Sequence, residues 1–194
     1  PALAVETVEQ FLGVPINFYA QIDFAAFVRF IDEIAGVKIT AEEDITIDPI
    51  GVGLKEHLKA GETYTLPGDL ALAYARARYT DGGDFDRARR QQQVILAVRD
   101  RILDFSMMPQ LIAKAPVLYN EISAGIRTNL DLNQVIQLAL YALDIDRDAI
   151  HSYVIGTDCV QFAKSPEGLD ILKPIPDKIR LLRDEAFTSG GPLG

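Results

Sequence analysis

The chain has 194 residues, 48% of them hydrophobic and 24% charged, a balance that excludes a disordered segment and supplies enough apolar surface for a packed core. Its formal net charge of -9 argues against a nucleic-acid binder, which would work through a broad basic surface. A single cysteine, Cys159, excludes an internal disulfide and a multi-cysteine zinc site, and no run approaches the roughly 18 apolar residues of a membrane span.

Val5 to Leu12 reads as the tail of a helix ended by Gly13, and Ile16 to Ile22 is rich in strand formers. Asp23 is placed to cap the next helix, whose Phe24, Phe27, Val28, Ile31 and Ile34 recur at helical spacing. Phe24, Phe27 and Phe30 read as core rather than as a cofactor box, with part of the stripe available to line a lipid tunnel. Gly36 stops this helix, and Val37-Lys38-Ile39 and Ile45-Thr46-Ile47 alternate as short strands. Strand, helix, strand in that order is the arithmetic of an α/β or α+β layer. A brief strand is expected over residues 61–66, before the Pro67-Gly68 turn. A short helix capped by Asp69 and running through Tyr74 then delivers Arg76 and Arg78 at its end. The next helix is long, from about Asp84 to Leu103, with acidic first-turn residues that suit the positive end of its dipole. Further helices are expected from Pro109 to about Ile122 and from Leu132 to Leu143, the second capped from within Thr128–Asp131, and Tyr153-Val154-Ile155 reads as a final strand. No repeat or linker divides the chain, so residues 1–187 are expected to form one domain and residues 188–194 a flexible tail. Pro1 reads as a processed or truncated beginning.

Five arginines fall within 15 positions, from Arg76 to Arg90, against the acidic background. Arg87, Arg90 and Gln91 stand at i, i+3 and i+4 of the long helix, hence on one face, while Arg89 points elsewhere. Val94 and Val98 continue that stripe, so the polar start grades into an apolar groove suited to an anionic head with an apolar tail. Arg76 and Arg78 point the same way where the backbone between them is extended, bringing up to four guanidinium groups to one site. Guanidinium forks match phosphate oxygens bidentately and stay charged at physiological pH, and helix-start N–H groups add to the attraction. The competing reading is a solvated face on which these arginines pair with Asp81, Asp84 and Asp86, each pair worth about 0–1 kcal/mol. Spacing does not choose between the two. Asp84 and Asp86 read as arginine-orienting or helix-capping rather than proton-carrying groups. His57 and His151 lack metal-ligand spacing, Cys159 reads as a structural thiol, and no phosphate-cradling or dinucleotide fingerprint is present.

The run from Leu70 to Arg78, then Asp84-Phe85-Asp86-Arg87-Ala88-Arg89-Arg90-Gln91-Gln92 followed by Val94-Ile95, resembles the signature of the LytR-CpsA-Psr family. The similarity continues through Leu12 to Ala20, the Ile34-Ala35-Gly36-Val37 turn, the approach from Ala60 to Gly68, and Arg127-Thr128-Asn129-Leu130. The resemblance implies an α/β fold with a central mixed β-sheet flanked by helices on both faces. It also implies an extracytoplasmic, membrane-anchored or membrane-peripheral phosphotransferase that moves a glycopolymer from a polyprenyl-pyrophosphate carrier onto peptidoglycan or another glycan acceptor. Carried over by position, Arg76 and Arg78 match the family's first arginine pair and Arg87 and Arg90 the second, with Gln91 beside them. Their implied role is to clamp the pyrophosphate and offset charge developing on the phosphoryl group. The family's N-terminal part, which holds magnesium through acidic residues, finds no counterpart, so the chain is expected to be the C-terminal two-thirds of the domain, with Mg2+ implied but its ligands not found here. Catalysis then depends on that part being supplied; the alternative is a non-catalytic polyprenyl-phosphate-binding module or an inactive fragment of such an enzyme. Ala35 stands where the family usually has a second glycine.

Overall fold

The structure, a computed structural model, describes residues 1–49, 55–78, 80–104 and 125–188. The helix expected from Pro109 to Ile122 and residues 189–194 of the expected tail lie outside them, and Thr188 closes the last described helix. The chain divides into two compact units, residues 20–135 and residues 1–19 with 136–194.

In the unit of residues 20–135, β1 (Ala20–Ile22) leads into α2 (Phe24–Glu33), with α1 (Ala2–Leu12) preceding it in the chain. Asp23 caps α2 as expected, its carboxylate accepting from the Ala26 N–H at 2.7 Å. Ile31 and Ile34 are fully buried and Phe27 and Phe30 pack against the core, whereas Phe24 is 54% exposed. The helix stops where Ala35 and Gly36 both take positive φ, 60° and 80°, so the Gly36 N–H turns back to the Ile31 carbonyl. Then follow β2 (Val37–Thr40), β3 (Ile45–Ile47), β4 (Glu56–Leu58) and β5 (Thr63–Leu66). Antiparallel pairing sets Val37 opposite Leu66 in β2–β5 and Ile45 opposite Leu58 in β3–β4, so alternate residues enter one core.

The short helix α3 (Gly68–Arg76) begins two residues earlier than a cap at Asp69 would allow. Pro67 is its N-cap, and the Gly68 N–H donates to Asp32 Oδ1 at 2.8 Å, so α2 satisfies the start of α3 and Asp69 sits in the first turn. A Cβ on Gly68 would lie 2.2 Å from the Val28 carbonyl oxygen, which is why only glycine permits this close approach. The long helix α4 (Asp84–Ile102) sends Val94 and Ala97 into the core, with Val98 packed against it. These valines therefore complete the core instead of lining a groove. At the far end of α4, Arg101 donates to the carbonyls of Ile34 and Ala35 at 2.9 and 3.1 Å, satisfying the last turn of α2. The strand β6 (Ile126–Thr128) returns to pair with β1.

A reciprocal cap opens α5 (Leu132–Leu143): the Gln134 N–H donates to Asp131 Oδ1 at 2.8 Å, and Gln134 Oε1 accepts from the Asp131 N–H at 2.9 Å. In the other unit, α1 ends at Gly13 with φ 69°. Residues 153–155 form no strand; the strands are β7 (Val160–Lys164) and β8 (Asp170–Pro174), a hairpin around the Ser165–Gly168 turn, followed by α6 (Pro176–Thr188). The α/β class is met. Among the described residues the strands, three to five residues long, join as four two-stranded antiparallel ladders. No helix among these residues is long and apolar enough to cross a membrane.

Candidate functional site

The arginines are delivered by two chain segments that meet at the start of α4. Ala77, the residue after α3, has φ -59° and ψ 136°, so the chain is extended there and Arg76 and Arg78 emerge on the same side. Both are exposed, while Ala77 between them is 8% exposed. On α4, Arg87 and Gln91 stand one turn apart. Arg76, Arg78, Arg87 and Gln91 line one cleft of about 780 Å3 together with Phe24, Thr46, Asp48, Pro49, Ala73 and Ala77.

Fixed contacts hold each cationic group. The Arg76 guanidinium lies 5.0 Å from the centroid of the Phe24 ring, a cation–π contact that explains why an aromatic side chain stays exposed. Asp84 gathers two arginines: Arg78 Nε at 3.2 Å and Arg87 Nη2 at 3.0 Å. Gln91 Nε2 donates to the Ala75 carbonyl at 3.4 Å. Three guanidinium groups thus line one cleft with the Asp48 carboxylate, two of them also paired with Asp84, leaving a concave, cation-rich site suited to phosphate oxygens. The expected pairing of arginines with acidic neighbours is present, and two of the arginines it engages, Arg78 and Arg87, also line the cleft.

Arg90 is placed differently. It is 4% exposed and is not among the described residues lining the cleft. Its Nη1 donates to Glu43 Oε1 at 2.9 Å, and its Nη2 to the Ala77 carbonyl at 2.6 Å and to Thr80 Oγ1 at 3.3 Å. Next to it Asp86, also 4% exposed, accepts from the Thr80 hydroxyl at 2.6 Å and the Gly82 N–H at 2.8 Å, and pairs with Arg89. The Thr80 hydroxyl bond holds the Asp86 carboxyl below the usual carboxylate range; burial opposes this, and the Gly82 N–H and the charges of Arg89 and Arg90 assist. A Cβ on Gly82 would stand 2.2 Å from Asp86 Oδ1, so glycine is what admits the carboxylate to the loop. Glu43, Thr80, Asp48 and Thr46 carry no motif that spacing could reveal; Asp86 and Arg90 are visible in the sequence, but not their burial.

Of the other candidates, His57 shares a 3.2 Å hydrogen bond with Thr46 across the β3–β4 ladder, and Cys159 is buried with its thiol pushed up by burial. Among the described residues no group of three or more His, Cys, Asp or Glu side chains is arranged to hold a metal ion. Asp84, the carboxylate between the arginines, is committed to two guanidinium groups. The described side chains therefore do not fit the magnesium site that the resemblance implies.

A cleft lined by three guanidinium groups, between a helix end and a helix start of an α/β fold, is suited to an anion. The LytR_cpsA_psr family model matches residues 1–170, and the chain belongs to that family. The polyisoprenyl-teichoic acid–peptidoglycan teichoic acid transferase TagU of Bacillus cereus is 36% identical over 137 residues, covering 70% of this chain and 41% of that protein. The regulatory protein MsrR of Staphylococcus aureus is 33% identical over 142 residues, covering 72% and 40%. The solved structure of TagT bound to LIIa-WTA superposes with a TM-score of 0.70 at 26% identity, over 95% of this chain and 65% of that one. The chain spans about two fifths of the length of the curated relatives it matches.

Proposed function

We propose that the cleft binds the pyrophosphate of a polyprenyl-linked glycopolymer, and that the protein containing this chain transfers that glycopolymer to peptidoglycan at the outer face of the cell membrane. The observation that carries this reading is the convergence of Arg76, Arg78, Arg87 and Gln91 on one cleft. The relatives support it: TagU is named for transfer of teichoic acid between a polyisoprenyl carrier and peptidoglycan, and TagT is solved with LIIa-WTA bound. In the transfer, an acceptor hydroxyl attacks the phosphorus that carries the glycan, the bond to the bridging oxygen breaks, the hydroxyl proton is lost, and polyprenyl phosphate leaves. Arg78 and Arg87 are poised to exchange Asp84 for phosphate oxygens, and charge that grows on the transferred group and the leaving phosphate meets guanidinium groups already in place. Arg76 on the Phe24 ring and the Gln91 amide set the orientation of the anion.

The test is binding of octaprenyl pyrophosphate in detergent micelles. Arg87→Ala removes a charge-assisted contact worth about 1.5–3 kcal/mol, a loss of roughly ten- to a hundredfold in affinity. Equal affinity for wild type, Arg87→Ala and Gln91→Ala overturns the site. A second reading, a binding module without transferase activity, draws on the cleft itself, whose described lining accounts for anion binding alone. Release of polyprenyl phosphate from a lipid-linked glycan by the purified chain refutes it.

A further inference from the structure

Arg90 and Arg87 lie on the same side of α4, yet their side chains do opposite things. One lines the cleft; the other is buried beneath it. The contacts of Arg90 are a set: Glu43 from the turn between β2 and β3, the Ala77 carbonyl between the cleft arginines Arg76 and Arg78, and Thr80 in the loop before α4. Asp86 takes the same loop from the other side, through Thr80 and Gly82. The Arg90 Nε has no hydrogen-bond partner among the described residues, so the side chain is oriented by its two terminal nitrogens.

We propose that Arg90 and its partner Glu43 are positioning residues for the anion cleft: the Glu43–Arg90 pair fixes the Ala77 carbonyl and the Thr80 hydroxyl, and so sets where Arg78, next to Ala77, stands relative to Arg87. This rests on the anion-binding reading of the cleft. A guanidinium is suited to the task because its planar fork can bond a carboxylate with one nitrogen and a carbonyl with the other. Glu43 keeps that fork from swinging out and compensates its buried charge. Neither side chain touches the ligand. Among the described residues Arg78 pairs with Asp84, both side chains being about 60% exposed; such a pair fixes little by itself. The buried contacts supply the precision.

The role of Glu43 gives an experiment whose sign separates positioning from charge. Removing an acidic side chain near a cationic cleft strengthens anion binding if only the field matters. If Glu43 positions the site through Arg90, Glu43→Ala weakens it. Octaprenyl pyrophosphate in detergent micelles is titrated against wild type, Glu43→Ala and Glu43→Gln, at a temperature where circular dichroism shows all three folded. Amide hydrogen exchange is followed at Ala77, Gly82 and Gly83. Glu43→Ala is expected to bind roughly tenfold more weakly and to exchange faster at these amides. Glu43→Gln loses the same charge but keeps an acceptor for Arg90, and is expected to bind within about threefold of wild type. Tighter or unchanged binding by Glu43→Ala overturns the proposal. So does weaker binding with unchanged exchange, which would make Glu43 a direct contact. If wild type does not bind the probe, it is the anion-binding reading that has failed; exchange then decides whether Glu43 holds the loop, and an unchanged pattern overturns that too.

Discussion

Replacing Asp86 by alanine should be among the most damaging single changes near the cleft. The carboxylate is 4% exposed and accepts from the Thr80 hydroxyl at 2.6 Å and the Gly82 N–H at 2.8 Å. Hydrogen bonds to a charged group contribute about 1.5–3 kcal/mol each. The pair with Arg89, whose side chain is 52% exposed, adds no more than about 0.5 kcal/mol. Asp86→Ala is therefore expected to cost about 3–6 kcal/mol, a large share of the roughly 5–15 kcal/mol of a typical domain. Asp86→Asn, which keeps one acceptor oxygen, should cost about 1–2 kcal/mol. The pH dependence has a definite sign. The folded-state carboxyl is held below its usual value, so its contribution is complete above the unfolded value of about 3.9 and is lost as pH falls through the lower folded one. The advantage of wild type over Asp86→Asn should therefore hold at neutral pH and shrink below about pH 4. Urea unfolding followed by far-UV circular dichroism, repeated over a pH series, measures both effects. A loss under about 1 kcal/mol for Asp86→Ala, or a wild-type advantage that persists undiminished into strong acid, refutes the reasoning.

Three further outcomes are expected. Ala35 holds φ 60° without being glycine; the αL conformation costs about 1–2 kcal/mol there, part of which glycine's chain entropy offsets, so Ala35→Gly should stabilise by about 0.5–1 kcal/mol, read as a higher urea midpoint with unchanged slope. Phe24→Ala removes the ring under Arg76 and should weaken binding of octaprenyl pyrophosphate about two- to fivefold, while Phe24→Tyr leaves it unchanged. Cys159 is 3% exposed, with its thiol raised by burial and by the charge of Asp158; an aromatic disulfide reagent should label it at least about a hundredfold faster in urea than in the native protein at pH 8.

Helices whose own residues carry both period and cap are legible in the sequence: Asp23 and the α2 stripe, and the Asp131 cap of α5. Local pattern fails where a distant partner decides. Asp69 has the chemistry of a cap, but Asp32 reaches the start of α3 first, from 36 residues away. The β7–β8 hairpin escapes a reading by hydrophobic pattern because its strands leave most side chains exposed and show no apolar alternation. Its Ser165-Pro166-Glu167-Gly168 turn is the signal that marks it. At the cleft, the helical wheel separates Arg87 from Arg90 by only about 60°, too little to tell a lining side chain from a buried one. Glu43, 47 residues away in sequence, makes that distinction, and no local pattern announces it. Extended backbone at Ala77 is the condition for Arg76 and Arg78 to act together, and it is met.

That single extended residue makes the end of α3 a matter of parity. Were the helix to continue through Ala77, Arg78 would rotate roughly 200° from Arg76 and their charges would diverge. Because the helix stops after Arg76, an even step returns to the same side and an odd step does not. Inserting or deleting one residue between Arg76 and Arg78 would exchange a cation for the buried methyl of Ala77, whatever residue was used. The place where α3 ends thus decides whether the two arginines share a side, and helix-promoting changes at position 77 would scatter them without altering either.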